Sequence, residues 1–236
     1  MQELCDVSFG HARFEGMIIT LFDYEKLSDT DIMIIYSHMP SERQKKFDRY
    51  RFEKEKRLCA VAYVILLYGI YMSCGTMSDV LRFEYNEYGK PYLSNYSNLK
   101  FNLSHCSTGV ACVVSDSETG IDIQNADEYD KSLLDFVCSK EERQIIENHP
   151  SPDNMFTRIW TCKESYLKQI GCGINSNLAQ LSFPQVQKDV FSEYGCFFSL
   201  HEHKETVITV CDQSIVRQKL IYLDARTISE FIQEFS

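Results

Sequence analysis

The stretch from Ser41 to Met72 constrains this chain more than any other. Leu58, Val61, Ile65, Tyr68 and Met72 recur at the three-to-four spacing of a helix that buries one stripe. The start of the same stretch is crowded with charge. Arg43, Lys45, Lys46, Arg49, Arg51, Lys54, Lys56 and Arg57 fall within 15 residues. The pattern predicts helix, continuous or broken, with cations at its front and a core-seeking stripe behind. Its near-continuous apolar run, Ala60 to Met72, is shorter than the about 20 residues that span a bilayer, so no membrane partner is expected.

That basic crowd is a local anomaly. The chain carries a formal charge of −10, with a sequence pI near 5.1. Nucleic-acid binders show a basic excess, so no nucleic-acid partner is expected, although a local basic site for a phosphate ligand is compatible. With 44% hydrophobic and 25% charged residues, the 236-residue chain has the balance of a globular protein. Its length suits one large domain or two small ones. Ten cysteines invite a disulfide or zinc reading, but none form a C-x-x-C pair. Cys59, Cys112 and Cys211 sit inside apolar runs, where a thiol behaves as a small hydrophobe. Free thiols and a reducing, cytoplasmic compartment are expected. The opening residues MQELCDVSFGHARFEG show no basic region followed by an apolar one, so no leader is expected.

Strand and helix signals are intermixed. Met17 to Tyr24 reads as a strand, and Ser28-Asp29-Thr30-Asp31 offers a cap for a helix through Met39. Leu81–Tyr85 and Lys100–Leu103 are short strand candidates. Gly109–Ser115 and Ile121–Gln124 predict a hairpin across Asp116–Gly120. Pro152-Asp153-Asn154 opens a helix that reaches Ile170, where Gly171 and Gly173 stop it. A strand signal, ETVITVCD, then a short strand and helix close the chain. The mixture predicts an α+β fold, with residues 1–116 and 117–236 as two halves.

Four short segments could carry chemistry. In Gly120-Ile-Asp-Ile-Gln124, alternation puts Asp122 and Gln124 on one face and the isoleucines on the other. A carboxylate there suits a hard cation such as Mg²⁺, or simply faces water from an edge strand. In Trp160-Thr-Cys-Lys-Glu-Ser-Tyr-Leu-Lys168, residues 160, 164 and 168 share a helix face, with Lys163 to one side. Glu164 and Lys168 fit a metal ligand or base beside a phosphate-binding cation, or an ordinary surface pair. In Phe101-Asn-Leu-Ser-His-Cys106, Ser104 and His105 end a strand where groups can gather round a phosphate, or His105 is structural. Tyr88-Gly-Lys-Pro91 fixes Lys90 in a turn. His201 and His203 share a strand face without a third ligand at matching spacing.

In this order, GKP, FNLSH, GIDIQ and WTCKESYLK resemble the signature series of the 4'-phosphopantetheinyl transferases, in their long, pseudo-dimeric, Sfp-type class. The resemblance spans about Ser41 to Gly173. It implies two similar α/β halves related by a pseudo-twofold axis, with the active site in the cleft between them and a monomeric protein. It implies Mg²⁺, or Mn²⁺, held by Asp122 and Glu164, with Gln124 as a ligand directly or through water. Coenzyme A would be the co-substrate, contacted by Arg43, Lys46, Lys90, Ser104, His105, Lys163 and Lys168. Glu164, Asp122 and Lys168 would be catalytic. The partner would be an apo carrier protein (acyl, peptidyl or polyketide), as in a holo-[acyl-carrier-protein] synthase. Gln124 departs from the family pattern G-I-D-x-E, which keeps a second reading open: a non-catalytic coenzyme A-binding protein on the same fold.

Overall fold

The computed structural model describes residues 16–75, 80–127, 129–173, 178–214 and 218–234. The opening residues 1–15, read above for a leader, lie outside these. The first half runs from β1 (Met17–Leu21) through α1 (Asp29–His38), α2 (Ser41–Arg49) and α3 (Glu53–Cys74). It continues with β2 (Phe83–Tyr85), β3 (Pro91–Leu93), β4 (Lys100–His105) and β5 (Val110–Ser115). The second half holds β6 (Thr119–Asn125), α4 (Leu134–Val137), α5 (Lys140–Asn148), α6 (Pro152–Ile170), β7 (Val190–Glu193), β8 (Cys196–His203) and β9 (Thr206–Asp212). β10 (Lys219–Leu223) and α7 (Ala225–Gln233) follow.

The halves repeat one connectivity. In each, a first strand leads through short helices to a long helix. The first strand then pairs antiparallel with the last, β1 with β5 and β6 with β9. The last strand also pairs antiparallel with the one before it, β4 with β5 and β8 with β9. The resulting sheets have the orders β10-β1-β5-β4 and β6-β9-β8-β7, with a separate β2-β3 hairpin. The fold is therefore α+β, built on two small sheets.

Alternation along the strands sorts three cores. Ile19, Leu21, Cys112 and Val114 meet the buried face of α3. Ile18, Ala111 and Val113 point the other way, against Ile121, Ile123, Ile208 and Val210 of the second sheet. The far side of that sheet packs under α6 through Phe198, Leu200 and Cys211. Each sheet thus carries its long helix outside and meets the other sheet inside.

Of the two forms left open for the 41–72 stretch, the structure has the broken one: α2 ends at Arg49 and α3 starts at Glu53, with Tyr50 extended between them. α3 is long and apolar enough, by length and composition, to cross a membrane, but it is a core helix: Val61, Val64, Ile65, Leu66 and Ile70 are buried. The 109–124 hairpin does not form. Both edges of β5 are taken by β1 and β4, and β6 opens the second sheet beside β9. Finally, residues grouped with the second half return to the first. β10 pairs in parallel with β1, and Ile228, Phe231 and Ile232 of α7 join the core under α3.

Candidate active site

The two sheets bring the end of β4 against β6, whose free edge β4 covers. Asn102 Oδ1 accepts a hydrogen bond from the Ile121 N–H at 3.1 Å, satisfying a donor that an edge strand leaves unpaired. α6 crosses the other face of β6 at very short range. A Cβ on Gly120 would lie 2.1 Å from the Ser165 carbonyl oxygen and 2.4 Å from the Gln169 nitrogen, so only glycine fits there. α6 stops at Gly171, which adopts φ 75° and donates to the Leu167 carbonyl.

This close approach gathers Ser104, Asp122, Glu164 and Lys168. Lys168 Nζ lies 2.6 Å from Asp122 Oδ1 and 3.0 Å from Ser104 Oγ, and the Ser104 hydroxyl donates to Asp122 Oδ1 at 2.8 Å. The surface pair that i,i+4 spacing allowed between Glu164 and Lys168 is not formed, because the lysine leans across to β6. Glu164 is buried, and its Oε1 has no hydrogen-bond partner. Burial pushes its carboxyl above the ordinary range, the Asp122 charge adds to the rise, and Lys168 opposes it. Gln124 is exposed two residues along β6, on the Asp122 face by alternation.

Cations and an imidazole approach the same place. Desolvation holds the exposed His105 below its ordinary pKa, and the charges of Lys168 and Lys46 lower it further, against Asp122. Lys46 of α2 therefore lies within range of a charge interaction with His105 at the end of β4. Its amine is itself lowered, by desolvation and then by Arg43. Arg43 is buried, with its guanidinium 4.3 Å from the Phe83 ring centroid and its Nε unpaired. A cleft of about 220 Å³ opens beside Glu164 and Lys168. The Tyr88–Pro91 turn forms one wall, while Glu164 and Lys168 form the other.

Two proposed ligand contacts are corrected. Lys163 is fully buried, its amine bonded to Glu142 at 2.6 Å and to the carbonyls of Val137, Leu178 and Leu181. One residue from Glu164 on a helix, it points into the second core instead of the cleft. The turn that holds Lys90 does line the cleft, but the amine binds Glu118 at 2.9 Å and the Gln169 carbonyl at 2.7 Å. With Asn86 donating to the Gly171 carbonyl at 2.9 Å, Lys90 fastens the β2–β3 hairpin to α6. Glu118 and Glu142 were not singled out from the sequence, since acids gain meaning only beside their lysines. Asn102 stood inside a quoted motif, yet its role required knowing which strand edge it covers.

Two carboxylates, one with an orphaned buried oxygen, fit a hard divalent cation whose remaining ligands come from substrate phosphates and water. Among the described residues no three His, Cys, Asp or Glu side chains gather as a complete protein-built site. His203 instead stacks on Phe22 with centroids 4.2 Å apart, and His201 Nε2 lies buried without a partner. Nine described cysteines are free thiols.

Comparison with known proteins gives the geometry its family. Residues 26–118 match the model of the 4'-phosphopantetheinyl transferase N-terminal domain, and residues 118–214 match that of the 4'-phosphopantetheinyl transferase superfamily. This chain belongs to the 4'-phosphopantetheinyl transferases. It is of their long, Sfp-type class. The chain is similar to 4'-phosphopantetheinyl transferase gsp of Aneurinibacillus migulanus, 29% identical over 58% of each chain. It resembles the Sfp transferase of Bacillus subtilis at 25% identity, over 62% of this chain and 66% of that one. An L-aminoadipate-semialdehyde dehydrogenase-phosphopantetheinyl transferase of Candida glabrata matches at 25% identity, over 70% of this chain and 67% of that protein. The match spans about three-fifths of the length of the first two curated relatives, 58% and 61%. The junction of the two family models, residue 118, falls in the turn between β5 and β6, where the chain passes from one sheet to the other.

Proposed function

We propose that this chain transfers the 4'-phosphopantetheine group from coenzyme A to a serine of an apo carrier protein. The products are the holo-carrier and adenosine 3',5'-bisphosphate. The observation that carries this reading is the approach of Asp122 to Glu164 beside the cleft, with a buried Glu164 oxygen that lacks any partner. Family membership names the reaction class, and the two acids supply a place for its metal. Asp122 and Glu164 would hold Mg²⁺, or Mn²⁺ in its stead. Bound there, the cation would neutralise the pyrophosphate and its leaving group.

The chain's own groups then have separable tasks. Lys168 presents a cation to a phosphate in the cleft, and Ser104 and His105 offer a hydroxyl and an imidazole at its edge. Lys46 and Arg43 add positive charge from α2, suited to a further phosphate of the cofactor. Glu164, at the wall of the cleft, is placed to accept a proton from the incoming serine. That serine belongs to the carrier, so the chain needs no activated nucleophile. Lys90 and Lys163 act through the scaffold.

The test is intact-mass spectrometry of apo acyl, peptidyl and polyketide carrier proteins incubated with the chain, coenzyme A and Mg²⁺. A gain of about 340 Da, the mass of the transferred group, that disappears with EDTA establishes the reaction. Coenzyme A binding without mass gain on any carrier would favour the non-catalytic reading, for which Gln124 in place of the usual acid is the reason.

A further inference from the structure

The least expected contact in the site is the one between Lys168 and Asp122. Asp122 Oδ1 already accepts the Ser104 hydroxyl, and the Lys168 ammonium sits on the same atom at 2.6 Å. Among the described residues this is the one salt bridge that Asp122 makes, while Glu164, one turn away on the lysine's own helix, is left unpaired. The lysine thus occupies one oxygen of a carboxylate that the metal site would use. From the proposed function above, on which the inference rests, we infer that Lys168 is a displaceable stand-in for the divalent cation. It holds Asp122 until metal and coenzyme A arrive, then moves to the cofactor's phosphates.

The physics of the exchange is direct. A magnesium ion binds carboxylate oxygen at roughly 2.0–2.1 Å, and an ammonium ion on the same carboxylate would repel it strongly at that range. The two cations therefore compete for Asp122. Lys168 has a flexible four-carbon stem, its side chain is 29% exposed, and it already lines the cleft. Metal alone would strand the lysine without its partner, which opposes binding. Metal arriving with a phosphate-bearing cofactor gives the displaced ammonium a new anion. The two ligands therefore reinforce one another beyond the direct bonds between them, and by linkage the reinforcement is reciprocal. Gln124 strengthens the effect, because it brings no second charge to help a bare cation evict the lysine.

The test reads metal binding, not turnover. Mn²⁺, followed by the paramagnetic signal of the free ion, is titrated into wild type, Lys168→Met and Lys168→Arg, with and without coenzyme A. Without cofactor, Lys168→Met should bind Mn²⁺ about tenfold more tightly than wild type, and Lys168→Arg should remain as weak as wild type. Coenzyme A should tighten Mn²⁺ binding by a larger factor in wild type than in Lys168→Met. Should Lys168→Met melt below the working temperature, Lys168→Gln takes its place. Equal or weaker Mn²⁺ binding by the neutral variant would overturn the exchange and leave the metal site standing. Mn²⁺ binding that survives Asp122→Ala, or is absent from wild type even with coenzyme A, would overturn the metal-site reading and the exchange together.

Discussion

α3 and α6 hold corresponding places in the two halves, and they could hardly be more different inside. The buried residues of α3 are almost all hydrocarbon, from Leu58 to Ile70. Those of α6 include Arg158, Lys163, Glu164, Ser165 and Gln169. Both helices cover a sheet, so both had to bury a face. α3 does so almost wholly by apolar packing, with the buried Tyr63 hydroxyl donating to the His38 carbonyl, and serves as scaffold. α6 buries polar groups only where each meets a partner, with Glu164 as the exception. In the proposed function, one copy of the repeated unit supplies stability and the other carries the candidate site. A buried carboxylate without a partner is what a scaffold would discard and a metal site would keep.

The sharpest way to break this comparison is to remove the two acids. Asp122→Ala and Glu164→Ala should each slow transfer about 10²–10³-fold or more, measured by single-turnover mass gain on a carrier. Retained activity in both would leave α6 with no chemical advantage over α3.

Next in size is the buried pair on the same helix. Lys163→Met strands Glu142, which is fully buried, and should destabilise the fold by about 3–5 kcal/mol in denaturant melts. Coenzyme A affinity of the folded fraction should stay within about twofold of wild type. A selective loss of affinity would return Lys163 to the cleft.

A paired substitution sharpens the contrast in how the helices seat. Gly120→Ala puts a methyl against α6 backbone at 2.1 Å and 2.4 Å, which cannot relax cheaply. Gly69→Ala on α3 meets the side-chain tips of Ile19 and Val114 at 2.8 Å, which can move. About 3 kcal/mol or more is expected at Gly120 and about 1–2 kcal/mol at Gly69. Equal losses would mean that the two helices seat alike.

The smallest effect concerns the orphaned acid. A folded pKa raised above the ordinary 4.5 means that Glu164 contributes stability below about that pH and loses it as pH rises through the folded value. Glu164→Gln should therefore be more stable than wild type at neutral pH, by about 1–3 kcal/mol, with the gap closing toward acid. Mg²⁺ with coenzyme A should narrow the neutral-pH gap. A gap that did not change with pH would remove the argument from the unpaired oxygen.

Much of the fold was legible because its signals are local. The Ser28 cap with Asp31, the α6 start at Pro152 and its stop at Gly171, and the strand alternation all act within a few residues of themselves. The candidate acids could be picked out for a similar reason, since Asp122 interrupts an apolar strand and Glu164 shares a helix face with Lys168, but the burial of Glu164 came only with the fold. Strand partners were not legible. β5 and β6 look like a hairpin to any reading of neighbours, and β10 carries no mark that it returns to β1.

Lysines divide along the same line. Read alone, the sequence shows that one helix carries a glutamate and two lysines and that a separate strand carries an aspartate, and the order of the motifs points to the family. Only the tertiary structure decided what each lysine does, because their ends lie several bonds from the backbone. Their charge goes to whichever anion the packing brings near: Glu142 for Lys163, Glu118 for Lys90, and Asp122 for Lys168. Helix periodicity states where a Cβ points, whereas the destination of an ammonium ion is a property of the whole fold.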